Sequence, residues 1–503
     1  MASGKDRGAI MALDQGTTSS RTILFDRKGK VLAVAQQEFA QHYPKPGWVE
    51  HKPQDIWNTV AATAKSALRK AKLKPADIKG IGITNQRETT LLWDRATGKP
   101  VGPAIVWQCR RTADRCEAIR KKGDAAMLQE RTGLVVDAYF SGTKLAWLLD
   151  EIPGARDRAE RGELAFGTVD SWLIWNLTGG TAKKGAVHAT DPSNASRTLL
   201  FDQKTQAFAP DLLDYFKIPH SVVPAVQPSS GILGETHESL FGGRIPIAAA
   251  IGDQQSALFG QTCFTAGSLK STYGTGCFLL LNTGEAPVRS TNGLLTSTGW
   301  KRDGHTTFVL EGSVFVGGAV VQWLRDGLHL IKSAAETEAI ARSAKSTGGV
   351  FVVPAFVGLG APYWNSEARG AITGITRGTT TAQIVRAALE AIAFQTAEVV
   401  GLMGQEMGHM LDILRVDGGA TGNNFLCQFQ ADVLGVPVER PKFLETTAAG
   451  AAYLAGLATG FWSSPEELSA MRKVDRVFEP KESEDWRASH VAGWKKAVQR
   501  VLM

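Results

Sequence analysis

The sequence predicts an α/β protein of two domains, each a mixed sheet flanked by helices, with a ligand cleft between them. Three observations carry this expectation. The chain has 503 residues, more than one hydrophobic core usually supports. Short β-rich runs are interspersed with helical periodicity, which implies mixed sheets with helices on their faces. The same unusual turn also occurs once in each half: Ala12-Leu13-Asp14-Gln15-Gly16-Thr17-Thr18-Ser19-Ser20 leaves one strand for another, and Tyr273-Gly274-Thr275-Gly276-Cys277 repeats the plan.

The elements follow in order. Residues 9–13, 22–25 and 31–36 read as strands, and 55–71 as an amphipathic helix with Ile56, Val60, Ala64 and Leu68 at helical spacing. Strands are expected at 78–84 and 89–93, helices at 143–150 and 169–177, and then a turn-rich, weakly periodic stretch from 179 to 246. Residues 247–254 form a buried strand that ends on the carboxylate of Asp253, followed by a short helix through Phe259. The second hairpin begins just after, which places the domain boundary at 255–265. Residues 381–407 are the longest helical pattern, 413–420 a strand entering a Gly-Gly turn, and 423–434 a helix. Residues 446–465 carry no charge. Their repeated glycines fit a buried helix packed closely on a neighbour better than a bilayer span.

Composition narrows the function. Apolar residues at 43% and charged residues at 21% describe a globular chain. The net charge of +7 raises nucleic acid as a partner. The basic residues are nevertheless scattered and not interleaved with aromatics, so no nucleic-acid binding is expected. Cys109, Cys116, Cys263, Cys277 and Cys427 form no Cys-x-x-Cys pair, and an odd number without a framework fits reduced thiols and a cytoplasmic location. The apolar run before Asp14 is too short for a signal peptide, and no membrane insertion is expected.

A glycine turn lets the backbone approach a ligand, and its free amides with threonine hydroxyls make a donor-rich concavity suited to phosphate oxygens. Each turn alone fits an ordinary hairpin equally well. Two of them point to two lobes gripping one polyphosphate. The nucleotide loop that requires Ser or Thr after Gly-Lys is missing, since Lys5, Lys30 and Lys99 are followed by Asp6, Val31 and Pro100.

Taken jointly, Asp14-Gln15-Gly16-Thr17-Thr18, Gly274-Thr275-Gly276 and Asp417-Gly418-Gly419-Ala420 resemble the two phosphate motifs and the adenosine motif of the actin, heat-shock-70 and sugar-kinase superfamily. The resemblance implies two actin-like (ribonuclease H-like) ATPase domains, 1–258 and 259–503. Tyr139-Phe140-Ser141-Gly142-Thr143-Lys144, together with Gly370-Ala371-Ile372-Thr373-Gly374-Ile375 leading to Gln383 and Glu390, is similar to the FGGY carbohydrate kinases. Asn85-Gln86-Arg87-Glu88, Trp107-Gln108-Cys109-Arg110-Arg111 and Gly252-Asp253-Gln254-Gln255 resemble the branch of that family that uses glycerol as acceptor.

That resemblance implies ATP and Mg2+ as co-substrate and metal, and sn-glycerol 3-phosphate as product, in glycerol uptake and catabolism. It places Thr17, Thr18 and Arg21 on the γ-phosphate side and Thr275 and Gly276 on the β-phosphate, with Asp14, Gln15, Gly16 and Ser19 also among the residues that bind ATP. Gly318, Gln322, Gly419 and Asn423 fall to the nucleoside, and Asp14 and Asp253 to the metal. Arg87, Glu88, Trp107, Tyr139, Asp253, Gln254 and Phe278 fall to glycerol, the polar members pairing its hydroxyls and the two rings covering its carbon face. Asp253 is the expected general base, at the ordinary aspartate pKa near 4, because a loose transition state releases its proton late. A homodimer or homotetramer is expected. Gly242 and Arg244 sit where some relatives bind fructose 1,6-bisphosphate, although the preceding Glu238-Ser239-Leu240-Phe241 departs from the glycine-rich family version. Two rivals stand beside this reading: a kinase of the same family acting on a pentulose or gluconate, and a non-catalytic actin-like nucleotide switch, which has no use for Asp253 or Tyr139.

Overall fold

The computed structural model describes residues 8–503 apart from 366 and 410. Two large sheets organise it. The first contains β1 (Ala9–Gln15), β2 (Ser19–Phe25), β3 (Val31–Glu38), β4 (Ile78–Asn85), β5 (Ser230–Glu235) and β6 (Pro246–Gly252), in the order β5-β6-β4-β1-β2-β3. The second contains β7 (Leu269–Tyr273), β8 (Cys277–Gly284), β9 (Leu295–Arg302), β10 (His305–Val314), β11 (Leu414–Asp417), β12 (Val438–Pro441) and β13 (Val474–Phe478), in the order β9-β10-β8-β7-β11-β12-β13.

The second sheet repeats the six strands of the first and adds β9 at its edge, beyond β10. In each, a hairpin (β1/β2; β7/β8) is antiparallel and its first strand takes a parallel neighbour, β4 or β11. A further parallel strand follows, β6 or β12, and then an antiparallel edge, β5 or β13. On the hairpin's other side lies β3 or β10. The duplication puts each Gly-Thr turn at the same corner of its own sheet, so both expected phosphate turns occupy equivalent places.

The faces are covered as the sequence pattern requires. Helix Pro53–Ala71 lays Ile56, Val60, Ala64 and Leu68 on the first sheet. Helix Thr381–Met407 covers the second, started by a capping box in which Thr380 and Gln383 satisfy each other's backbone amides. It is also the one helix among the described residues long and apolar enough to cross a membrane, and most of it is buried in this core.

The uncharged stretch forms helix Thr446–Ala458, which crosses back to pack on the first sheet and on helix Asp253–Gly260. Glycine makes that approach possible. A Cβ at Gly260 would stand 2.0 Å from the Thr446 carbonyl, one at Gly450 1.9 Å from that of Ser256, and one at Gly82 2.1 Å from that of Ala451. The expected helix is therefore present and close-packed, and it ends at Ala458, before Pro465.

Three details differ from the sequence reading. The strand at 247–254 stops at Gly252, and Asp253 is the first residue of the helix. The strand expected at 89–93 runs Leu91–Asp94. The turn-rich stretch supplies β5, whose pairing with β6 is interrupted between Ser230 and Gly234, so no alternation marks it in sequence.

Candidate active site

A cleft of about 1430 Å3 runs between the two hairpin turns, and its wall carries Thr17, Arg87, Glu88, Trp107, Tyr139, Asp253, Gln254, Thr275, Gly276 and Phe278. Residues read from widely separated motifs thus meet in one cavity. The first turn is closed by Gly16 N donating to Ser19 O at 2.9 Å, the second by Gly274 N donating to Gly276 O at 2.9 Å. Gly317 and Gly318 amides donate to the carbonyls of Thr275 and Gly274 at 2.7 and 2.8 Å. This seats the second turn on the start of helix Ala319–Asp326 and leaves the Thr275 side chain exposed.

In the cleft Trp107 stands edge-on to Tyr139 and Phe278, with ring centroids 5.6 and 6.2 Å apart. Its indole Nε1 donates to Thr17 Oγ1 at 3.0 Å, so acceptor wall and first phosphate turn touch. The polar residues belong to a buried charge network. Arg87 Nη1 and Nη2 donate to the two oxygens of Glu311 at 2.6 and 2.8 Å, Nη1 also reaches Gln255 Oε1 at 3.2 Å, and Nε faces Asp253 Oδ1 at 3.2 Å. One Nη2 hydrogen is left for a ligand. Glu88 accepts from Arg197 Nε at 2.5 Å, and its backbone is held at φ +61°, a left-handed conformation that favours glycine. Its carbonyl accepts from Ser141 Oγ and from the buried ammonium of Lys144, at 3.0 and 3.1 Å.

The electrostatics follow from burial and pairing. Asp253 keeps 28% of its side-chain surface open, yet burial pushes its carboxyl above the usual range, against the pull of Arg87 and Lys270. This corrects the expectation of an ordinary aspartate: the carboxylate sits low in a protein wall, and its counter-charges are shared with other acids. Burial raises Asp14 to about 7; Arg21 opposes this, and Glu445 and Asp253 add to it. Burial would also raise Glu311, but Arg197 and Arg87 hold it at about 2.

Several expected nucleotide residues lie off the cavity wall. Gln15 is buried and braces the turn, donating to Gly16 O and accepting from Gln86. Ser19 accepts from Gln36, and Arg21 pairs with Glu445 and Gln36. Thr18, Gln322 and Gly419 are exposed. Asn423 caps helix Asn424–Leu434 and donates to Thr337 Oγ1 at 3.1 Å. Gly418 takes φ +91° where a Cβ would meet the Tyr273 carbonyl at 2.5 Å, which presses the adenosine motif against the second hairpin.

Sequence reasoning missed Arg197, Glu311 and Lys270. Lys270 Nζ donates to Gln254 Oε1 at 2.5 Å, Thr272 Oγ1 at 2.9 Å and Phe278 O at 3.3 Å. Two of the three carried a signal: Glu311 is a lone acid in the apolar run Phe308–Val314, and Lys270 a lone cation in the strand before the second turn. Arg197 carried none.

No group of three or more His, Cys, Asp or Glu poised for a metal occurs among the described residues. Asp14 and Asp253 nevertheless form a donor set that fits a hard cation. The charge of Asp253 adds to the rise in the Asp14 pKa, and no hydrogen bond reaches the Asp14 carboxylate among the described residues. Magnesium bound through phosphates and waters needs only one or two such carboxylates.

Comparison with known proteins agrees with this geometry. The N-terminal domain model of the FGGY family of carbohydrate kinases matches residues 9–260, and the C-terminal domain model matches 269–459. The chain is 58% identical to a glycerol kinase of Deinococcus radiodurans, over 98% of this chain and 97% of that one. It is 57% identical to glycerol kinase 2 of Thermotoga maritima over 98% of each. Among solved structures, Plasmodium falciparum glycerol kinase with ADP superposes with a TM-score of 0.91 at 38% identity, covering 99% of this chain and 98% of that one. A xylulose kinase from Lactobacillus acidophilus, at 20% identity and a TM-score of 0.87, shares the fold. With both halves matched and near-complete relatives above half identity, this chain belongs to the FGGY family of carbohydrate kinases.

Proposed function

We propose that the chain transfers the γ-phosphoryl group of ATP to a terminal hydroxyl of glycerol, giving sn-glycerol 3-phosphate and ADP. The carrying observation is that one cleft wall holds Asp253, Arg87, Glu88, Tyr139 and Gln254 together with Thr17 and Thr275 of the two hairpin turns. Glycerol as the acceptor is supported by the named activity of the full-length relatives.

Phosphoryl transfer needs positioning and charge neutralisation more than covalent help. Arg87, Glu88, Tyr139 and Gln254 pair the glycerol hydroxyls, and Trp107 and Phe278 cover its carbons. Asp253 takes the proton of the attacking hydroxyl as the new O–P bond forms and the bond to the bridging β,γ oxygen breaks. Burial, which raises its carboxyl above the usual aspartate range, makes it a stronger base. Thr17 and Thr275, with their turn amides, face the γ- and β-phosphate oxygens, and Gly318, Gln322, Gly419 and Asn423 hold the nucleoside. Asp14 and Asp253 would hold Mg2+, which when bound neutralises phosphate oxygens. Water competes with glycerol as acceptor, so the lobes, divided at 258/259 with helix Asp253–Gly260 spanning the junction, close in hinge fashion before transfer.

The same reading makes the chain a cytoplasmic homodimer or homotetramer, with fructose 1,6-bisphosphate as an inhibitor at Gly242 and Arg244. Gly242 turns at φ +79°, and the Arg244 guanidinium is largely exposed, 3.6 Å from Glu235. Arg244→Ala relieves that inhibition.

The test is ADP release over a panel of polyols, ketoses and gluconate. Glycerol is turned over, and D-xylulose, L-ribulose and gluconate fall at least about tenfold lower in kcat/KM, because each unpaired buried hydroxyl partner costs about 1–3 kcal/mol. Comparable turnover of any of the three overturns the assignment.

A further inference from the structure

Four buried charges from three separate stretches meet behind the acceptor pocket. Arg87 and Glu88 follow β4, Arg197 follows the short helix Pro192–Ala195, and Glu311 stands on β10 in the second sheet. All four side chains are 2% exposed or less. Glu311 holds Arg87 bidentately and also accepts from Arg197 Nη2 at 3.2 Å. Arg197 in turn donates to Glu88 and places its guanidinium carbon 5.5 Å from the Tyr139 ring centre. Neither Arg197 nor Glu311 lines the cleft, yet between them they touch Arg87, Glu88 and Tyr139, three of the groups assigned to glycerol.

We infer that Arg197 and Glu311 are positioning residues of the acceptor pocket, and that through Glu311 the second sheet completes a pocket whose ligand-facing side chains come mostly from the first half of the chain. A guanidinium free to swing can follow a misplaced hydroxyl. One fixed by a bidentate carboxylate cannot, and it then rejects an acceptor that leaves its remaining donor unpaired. Arg87 has one Nη2 hydrogen outstanding, so its aim is set almost entirely by Glu311, with Asp253 and Gln255 completing the clamp. The fork is built before the acceptor arrives, and acceptor selectivity depends on a residue that never touches the acceptor.

This rests on the acceptor reading above, and the experiment separates the two. The parent chain is first assayed with glycerol and with propane-1,2-diol; failure to use glycerol defeats the acceptor reading itself. Glu311→Gln, which keeps the shape and removes the charge, is then compared with the parent. The glycerol KM rises at least about tenfold, the ratio of kcat/KM for glycerol over propane-1,2-diol falls at least about threefold, and the ATP KM stays within about twofold. A merely structural role lowers the melting temperature and the active fraction without moving the acceptor ratio. Because Glu311→Gln leaves two buried guanidinium groups with fewer partners, the double variant Arg197→Gln with Glu311→Gln, which removes one charge of each sign, is measured alongside. It folds and shows the same selective loss. An unchanged ratio and glycerol KM in a folded variant overturn the inference, and so does failure of both variants to fold, which would make the network a folding core.

Discussion

Trp107 Nε1 donates to Thr17 Oγ1 at 3.0 Å, joining the wall of the proposed acceptor pocket to the first Gly-Thr turn. Since the hydroxyl oxygen accepts from the indole, its own hydrogen is free to donate to a ligand in the cleft that both residues line. Trp107→Phe keeps an aromatic wall against Tyr139 and Phe278 and deletes the donor. It should lower kcat/KM for glycerol about five- to tenfold, the worth of about one hydrogen bond. Thr17→Val should cost at least as much, and the double variant little more than the worse single. Steady-state kinetics on the four proteins checks this. Strictly additive effects would show that the contact carries no coupling.

The second expectation concerns Asp14. Burial raises its carboxyl to about 7, with Glu445 and Asp253 adding to the rise and Arg21 opposing it. A folded pKa above the unfolded value contributes stability that is full below about pH 4 and lost as pH rises through about 7. The half-buried position and solvent screening limit the loss to a few kcal/mol at most. Asp14→Asn should therefore flatten the fall in ligand-free stability between pH 4 and 7. In the parent, Mg2+ with ATP should stabilise more at pH 8 than at pH 6, because only the ionised carboxylate binds the cation. Chemical denaturation at each pH measures both. A variant with the parent's slope overturns the first claim, and equal stabilisation at the two pH values the second.

Two histidines act with the opposite sign. Burial drives His188 down to about 3, with Arg95 adding to the effect, and burial drives His51 to about 4. His188 Nε2 sits 2.7 Å from the Phe166 carbonyl and Nδ1 lies 3.1 Å from Arg95 Nη2, so the ring has no room for a second charge. Depressed folded values contribute stability that is present above the unfolded value near 6.5 and lost as pH falls through 4 to 3. Unfolding free energy should fall across that window. His188→Gln should make the fall shallower, and an unchanged acid slope would count against the assignment.

What the sequence revealed depended on whether a signal was local. The hairpin turns, Asp253, Trp107 and Tyr139 could be read because each sits in a short contiguous motif that resembles one of a known family. The aliphatic stripe of Pro53–Ala71 and the close-packed glycines of Thr446–Ala458 were legible because their signal is local too. Glu311 and Arg197 act through ion-pair partners more than a hundred positions away, and no spacing rule links Arg87 to a lone acid in β10. The duplication of the sheets was hidden likewise, since it resides in which strands pair. β5 lay in a stretch whose interrupted register and glycines at 231 and 234 erase the alternation a strand normally shows. The raised pKa of Asp253 follows from depth and shared counter-charges, which a motif does not encode.

The last expectation tests the base. Asp253 opens helix Asp253–Gly260, its Oδ1 accepting from the Gln254 amide at 2.7 Å and facing Arg87 Nε at 3.2 Å. Asn keeps the volume and an oxygen for that amide while removing the proton acceptor and one negative charge. General-base help is worth about 10²–10⁴-fold, roughly 3–5 kcal/mol of barrier. Asp253→Asn should lose turnover by at least the lower figure and still bind ATP through the turns of Thr17, Thr275 and Gly419. Its melting temperature should lie within a few degrees of the parent's. Relief of a buried carboxylate offsets the lost pairing with Arg87, and sites tuned for chemistry are seldom the most stable arrangement. Loss of charge also weakens the metal site, so the rate is measured at saturating Mg2+, ATP and glycerol. Retention of more than about a tenth of parental turnover there shows that another group takes the proton.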